Sequence, residues 1–64
     1  MRGELIKWFE KSGYGFVQDS NSKETYFLHI SYLPKGSNPE IGNEITFTPT
    51  ENEKGKQAHN AEII

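Results

Sequence analysis

The tightest constraint on this chain is the alternation in Ser12-Gly13-Tyr14-Gly15-Phe16-Val17, read with Tyr26-Phe27-Leu28-His29 further on. Rings separated by single glycines read as a strand, in which successive side chains point to opposite faces. Tyr14, Phe16 and Gln18 then share one face, and Gly15, Val17 and Asp19 the other. In the second segment Phe27 and His29 share a face, with Tyr26, Leu28 and Ile30 opposite. Gln18 and His29 assign their faces to water, whereas Val17, Leu28 and Ile30 assign theirs to a core. A fold that respects both assignments must hold Tyr14, Phe16 and Phe27 on a wetted sheet surface.

A chain of 64 residues has few aromatics to spare, so three on one wet face need a reason. Strand aromatics are more often core than surface. Here, however, each ring stands on the face that its own strand marks as polar. Flat rings beside a histidine and lysines suit unpaired nucleic-acid bases: rings stack on base faces and lysines meet phosphates.

The rest of the chain reads as short strands and turns. Residues 3–10 form a first strand with apolar groups on both faces, so periodicity does not say which side is inside. Strands at 14–19 and 24–29 follow, separated by the turn cluster Asp19-Ser20-Asn21-Ser22. These three predict an antiparallel meander. Residues 30–43 read as loop. Ser31-Tyr32-Leu33 could hold one helical turn with Leu33 inward, and Pro34, Gly36, Asn38, Pro39 and Gly42 break anything longer. A fourth strand at 44–49 turns Ile45 and Phe47 in and Glu44, Thr46 and Thr48 out. A charged hairpin at 50–55 leads to a fifth strand at 56–63, with Ala61 and Ile63 on one face. Five short strands without a long helix predict a small all-β barrel or sandwich.

One domain is expected over residues 1–64, and a chain this short buries only about 60% of its unfolded surface. There is no cysteine, which excludes disulfides and thiolate metal sites and is compatible with a reducing cytoplasm. No apolar run approaches the roughly 20 residues of a membrane span, and the N-terminus lacks a signal-peptide core. Net charge is −2, from seven basic and nine acidic residues, unfavourable for a partner held mainly through phosphates. The balance is tolerable if positive charge is local: Lys7 and Lys11 flank the ring-bearing strands, and Lys54 and Lys56 cluster near the end.

Nothing here supports catalysis or a cofactor. Ser12 or Ser31 with His29 sits in no nucleophile-elbow pattern. His29 and His59 lack a third ligand at metal spacing, and His59 reads as a strand-surface residue.

Gly13-Tyr14-Gly15-Phe16-Val17 resembles the first ribonucleoprotein motif of cold-shock domains, and Phe27-Leu28-His29-Ile30-Ser31 their second. Lys7-Trp8-Phe9, Ile41-Gly42-Asn43-Glu44-Ile45-Thr46-Phe47, Lys54-Gly55 and Gln57-Ala58-His59-Asn60 resemble further family segments, in order along nearly the whole chain. The resemblance implies a five-stranded antiparallel OB-fold barrel, partly open. It implies stacking roles for Tyr14, Phe16, Phe27 and His29, an opening basic and stacking pair in Lys7 and Trp8, and a phosphate contact at Lys54. Lys11 and Lys56 would add backbone contacts. Departures from the family are specific. Ser12 replaces a usual lysine, Ile30 a frequent phenylalanine, the 34–42 loop lacks its usual aromatic, and Lys56 stands where proline follows Gly55. Tyr32 reads as a surface tyrosine rather than a replacement ring. The spacing from Lys7-Trp8-Phe9 to Gly13 also differs by one residue, and a one-residue slip would turn Trp8 to the other face.

The function implied is sequence-tolerant binding of single-stranded RNA or DNA, pyrimidine-rich by resemblance, by a cytoplasmic monomer acting as an RNA chaperone or as a regulator of transcription or translation. The reduced ring set implies weaker binding than a full family member shows. Two alternatives stay open: a small β-barrel protein-interaction module, and an N-terminal nucleic-acid-binding domain of a longer protein.

Overall fold

Turn chemistry divides the chain. Gly13 (φ 71°), Lys23 (φ 66°) and Gly55 (φ 114°) sit in left-handed turns, where a residue without a Cβ is least strained. Between them, in a computed structural model covering residues 1–64, run β1 (Arg2–Phe9), β2 (Tyr14–Asp19), β3 (Thr25–His29), β4 (Glu44–Asn52) and β5 (Gly55–Ile63). A single 3-10 turn, Ile30–Tyr32, follows β3. The strands close in the order β1-β2-β3-β5-β4. The expected all-β, five-stranded barrel is therefore present. It is closed rather than partly open, and mixed: β3 and β5 pair in parallel, through Phe27 opposite Gln57, while the other pairs are antiparallel.

The core is small. Leu5, Val17, Leu28 and Ile45 are fully buried; Tyr26, Leu33, Phe47, Ala58 and Ala61 complete it. The Tyr26 and Phe47 rings meet at 5.2 Å and 52°, a tilted contact between β3 and β4. The alternation expected for β2 and β3 holds: Gly15, Val17, Asp19, Tyr26 and Leu28 are buried, and Tyr14, Phe16, Gln18, Phe27 and His29 are half-buried. Ile45 and Phe47 face in as expected, and Leu33 packs inward from the 3-10 turn. Ile30 departs from the expectation. β3 ends at His29, so Ile30 leaves the strand's alternation and lies on the surface.

Two irregularities break strand alternation elsewhere. In β1, Leu5 faces Val17 but Lys7 faces Phe16, so Ile6 is an extra residue, a β-bulge. Beyond it Lys7 and Phe9 fall on the face of Phe16 and Tyr14, and Trp8 lies opposite Gly15. In β5, Thr46 faces Glu62 and Thr48 faces His59, with Asn60 at φ 48° absorbing the extra residue. That bulge lets Ala58 and Ala61, three apart, both point into the core. The hairpin between β4 and β5 is tighter than 50–55, because β4 continues to Asn52 and only Glu53 and Lys54 turn.

Candidate nucleic-acid interface

Gly15 explains why rings and glycine alternate. A Cβ at Gly15 would lie 2.1 Å from the Lys7 carbonyl oxygen and 2.7 Å from Trp8 Cε3. Only glycine lets β1 pass this closely over β2, and that approach brings Phe9 beside Tyr14. Across the β2–β3 ladder Phe16 faces Phe27 and Tyr14 faces His29. Side chains paired this way on one sheet face come within reach of one another.

The result is one contiguous ring surface. Phe9 and Tyr14 meet at 5.1 Å, Tyr14 and Phe27 at 5.5 Å, Phe16 and Phe27 at 6.1 Å, and Phe27 and His29 at 6.4 Å between centroids. Tyr14 to Phe27 and Phe27 to His29 are inclined by only 31° and 33°, while Phe16 stands nearly edge-on to both neighbours at 86° and 73°. His29 is held from below: its Nδ1 accepts from the Ser31 backbone N–H at 3.1 Å and lies 2.8 Å from Ser31 Oγ. Assigned from that amide donor, the neutral ring carries its proton on Nε2, leaving a donor for an acceptor on a base.

Charge surrounds the rings unevenly. Lys7, Lys11 and Lys54 are exposed, and neither ion pair of the protein involves them. Lys7 stands opposite Phe16, Lys11 lies in the β1–β2 turn, and Lys54 lines a cleft of about 360 Å³ with Phe16, Phe27 and Gln57. Lys56 lines the same cleft but is half-buried and bonded to Glu24, a contact that holds its ammonium above the ordinary lysine range. Its charge is already partnered. Arg2 is likewise committed, to Glu44 at 2.9 Å.

The residues singled out from the sequence thus separate. Tyr14, Phe16, Phe27, His29, Lys7 and Lys54 gather on one face, Lys11 stands at its end, and Lys56 joins it with its charge engaged. Trp8 stands apart from the ring cluster. The Ile6 bulge places it opposite Gly15, half-buried against the core, outside the ring cluster. What it keeps of the surface lines a shallow rim cleft with Lys11, Ile30 and Asn38. Phe9, 44% exposed, occupies the ring position that sequence reasoning missed. The signal was present in Lys7-Trp8-Phe9, but choosing between Trp8 and Phe9 needed the position of the bulge.

The whole chain, residues 1–64, matches the sequence model of the 'Cold-shock' DNA-binding domain family. The chain belongs to the cold-shock domain family. It is 35% identical to Y-box-binding protein 1 of Xenopus laevis over 63 residues, covering 86% of this chain and 20% of that protein. It is also 35% identical to human Y-box-binding protein 3 over 63 residues, covering 86% of this chain and 17% of that one. The chain therefore spans about a fifth of these relatives. Its backbone superposes on the solved structure of Drosophila Unr CSD456 with a TM-score of 0.80 at 22% identity, covering 98% of this chain and 26% of that one, a likeness of fold. No helix is long and apolar enough to cross a membrane.

Proposed function

We propose that residues 1–64 act as one cold-shock domain that binds single-stranded RNA or DNA by stacking bases on Tyr14, Phe16, Phe27, His29 and Phe9. Lys7, Lys11 and Lys54 meet the backbone phosphates, Lys56 contributes when Glu24 releases it, and Trp8 contacts the strand only at the rim. One observation carries this reading: rings that a fully packed barrel would bury form a continuous half-exposed surface, flanked by three unpaired lysines. Every base has a π-face, so binding tolerates sequence, and each base–ring stack contributes about 1–3 kcal/mol. Pyrimidine-rich strands are the preferred partners by family resemblance. A monomer working in the cytoplasm would hold strands open without ATP and melt weak secondary structure, as an RNA chaperone or a regulator of transcription or translation.

The test is Trp8 fluorescence during titration with oligothymidine. Trp8 packs over Gly15 and lines the rim cleft with Lys11, beside the ring cluster, so a bound strand alters its surroundings. Saturable quenching is expected. With three phosphates neutralised, log K should fall against log salt with a slope of about −2. Absence of any response to single strands would overturn the reading in favour of a protein-interaction surface on the same rings.

A further inference from the structure

Two residues that look unremarkable in sequence, Tyr32 and His59, meet across the barrel. Tyr32 ends the 3-10 turn and His59 stands on β5. Their rings stack at 4.1 Å and 23°, a closer and flatter contact than any on the ring face. Tyr32 also lies 6.1 Å from His29, so a path of rings runs Phe27, His29, Tyr32, His59 without a gap larger than 6.4 Å. Gln57 Oε1 fixes the far end, accepting from His59 Nε2 at 2.9 Å and from the Tyr32 hydroxyl at 3.5 Å. Both bonds fill the carbonyl side of that amide, leaving the Gln57 NH2 group free to donate.

Tyr32, His59, Gln57, Asn52, Glu53 and Lys54 line an open cleft of about 520 Å³. Two of these, Lys54 and Gln57, also line the cleft beside Phe16 and Phe27. The two depressions therefore share a wall. Tyr32 packs against the core and stacks on the imidazole, so the half-buried His59 ring is braced by Tyr32 while it lines the cleft.

We infer that the Tyr32–His59 stack extends the proposed base-binding surface by one nucleotide, taking a base of the same strand beyond His29. The inference rests on the base-stacking reading above. The occupant is a base rather than a phosphate, because the cleft presents a stacked ring pair and its one lysine is offset by Glu53. Lys54, common to both clefts, takes the phosphate that joins this base to its neighbour. A ring held by a stack and a hydrogen bond loses little freedom when a base lands on it, so it binds a strand that a mobile side chain would not hold.

The experiment is a length series of oligothymidine, lengthened one nucleotide at a time and followed by Trp8 fluorescence, with the wild type and His59→Ala. In the wild type, affinity should climb to a plateau. In His59→Ala, short strands should bind as in the wild type, the final step of at least fivefold should vanish, and the plateau should come one nucleotide earlier. Tyr32→Phe keeps the ring and should keep the final step. Should His59→Ala fold poorly, His59→Gln, polar and ringless, replaces it with the same expectation. Identical plateaus in wild type and variant would overturn the inference while leaving the ring face standing. Failure of the wild type to bind at any length would remove both.

Discussion

The two faces of β2 and β3 are built from adjacent residues of the same strands, yet they do opposite work. Inward, Val17, Tyr26 and Leu28 close the core with at most 6% of their surface exposed. Outward, Tyr14, Phe16, Phe27 and His29 stay half-buried and touch chiefly one another. Composition alone does not separate the two, since both are rich in rings and apolar groups. What separates them is whether a second layer of protein covers the side chain. Inside, the barrel supplies that layer. Outside it is missing, and a stack of bases would complete it.

The sharpest way to break this contrast is to truncate one member of each face. Leu28→Ala should cost about 2–5 kcal/mol of stability, a large fraction of what a domain of this size holds. Urea unfolding should show its midpoint collapse. Phe27→Ala, one residue earlier, should fold and unfold nearly as the wild type does, yet bind oligothymidine at least tenfold more weakly, about 1.4 kcal/mol or more. If Phe27→Ala unfolds instead, its ring belongs to the core and the contrast fails.

A smaller effect comes from Asp19, buried at the end of β2 on the inward side. Its carboxylate accepts from Ser22 Oγ at 2.7 Å and from the backbone N–H groups of Ser22 and Asn21 at 3.2 and 3.4 Å. The Ser22 hydroxyl bond chiefly lowers its pKa below the ordinary 3.8. A carboxylate depressed on folding contributes stability that is present above its unfolded pKa and is lost as pH falls through the folded value. Acid unfolding should therefore steepen below about pH 4, and Asp19→Asn should flatten that limb while lowering stability at neutral pH. Smallest of all, Glu24→Gln should release Lys56 to the outward face. Affinity for oligothymidine should rise about twofold at low salt and return to the wild-type value at high salt, since an exposed charge contact is screened.

Alternation was legible where each face declared itself. Gln18 and His29 mark one side of their strands, and Val17 and Leu28 the other, so the ring surface could be placed from sequence. In β1 both sides are apolar, and the bulge at Ile6 leaves no compositional mark. It moved Trp8 off the ring face and Phe9 onto it. Asn60 did the same for β5, hiding Ala58 as a core residue. The meeting of Tyr32 with His59 was illegible for another reason. It depends on β5 lying parallel to β3, a pairing between distant segments that local patterns do not encode.

That parallel junction joins the two halves of the barrel at a single paired position, Phe27 with Gln57, reinforced at its margin by Lys56 and Glu24. It is one of two seams between strands distant in sequence, the other joining β1 to β4, and Phe27 of the ring cluster stands on it. A strand lying across Phe27 would bridge this join from outside. On the base-stacking proposal, occupancy and mechanical closure would be tied together at one residue, Phe27, whose backbone pairs across the seam and whose ring stands above it.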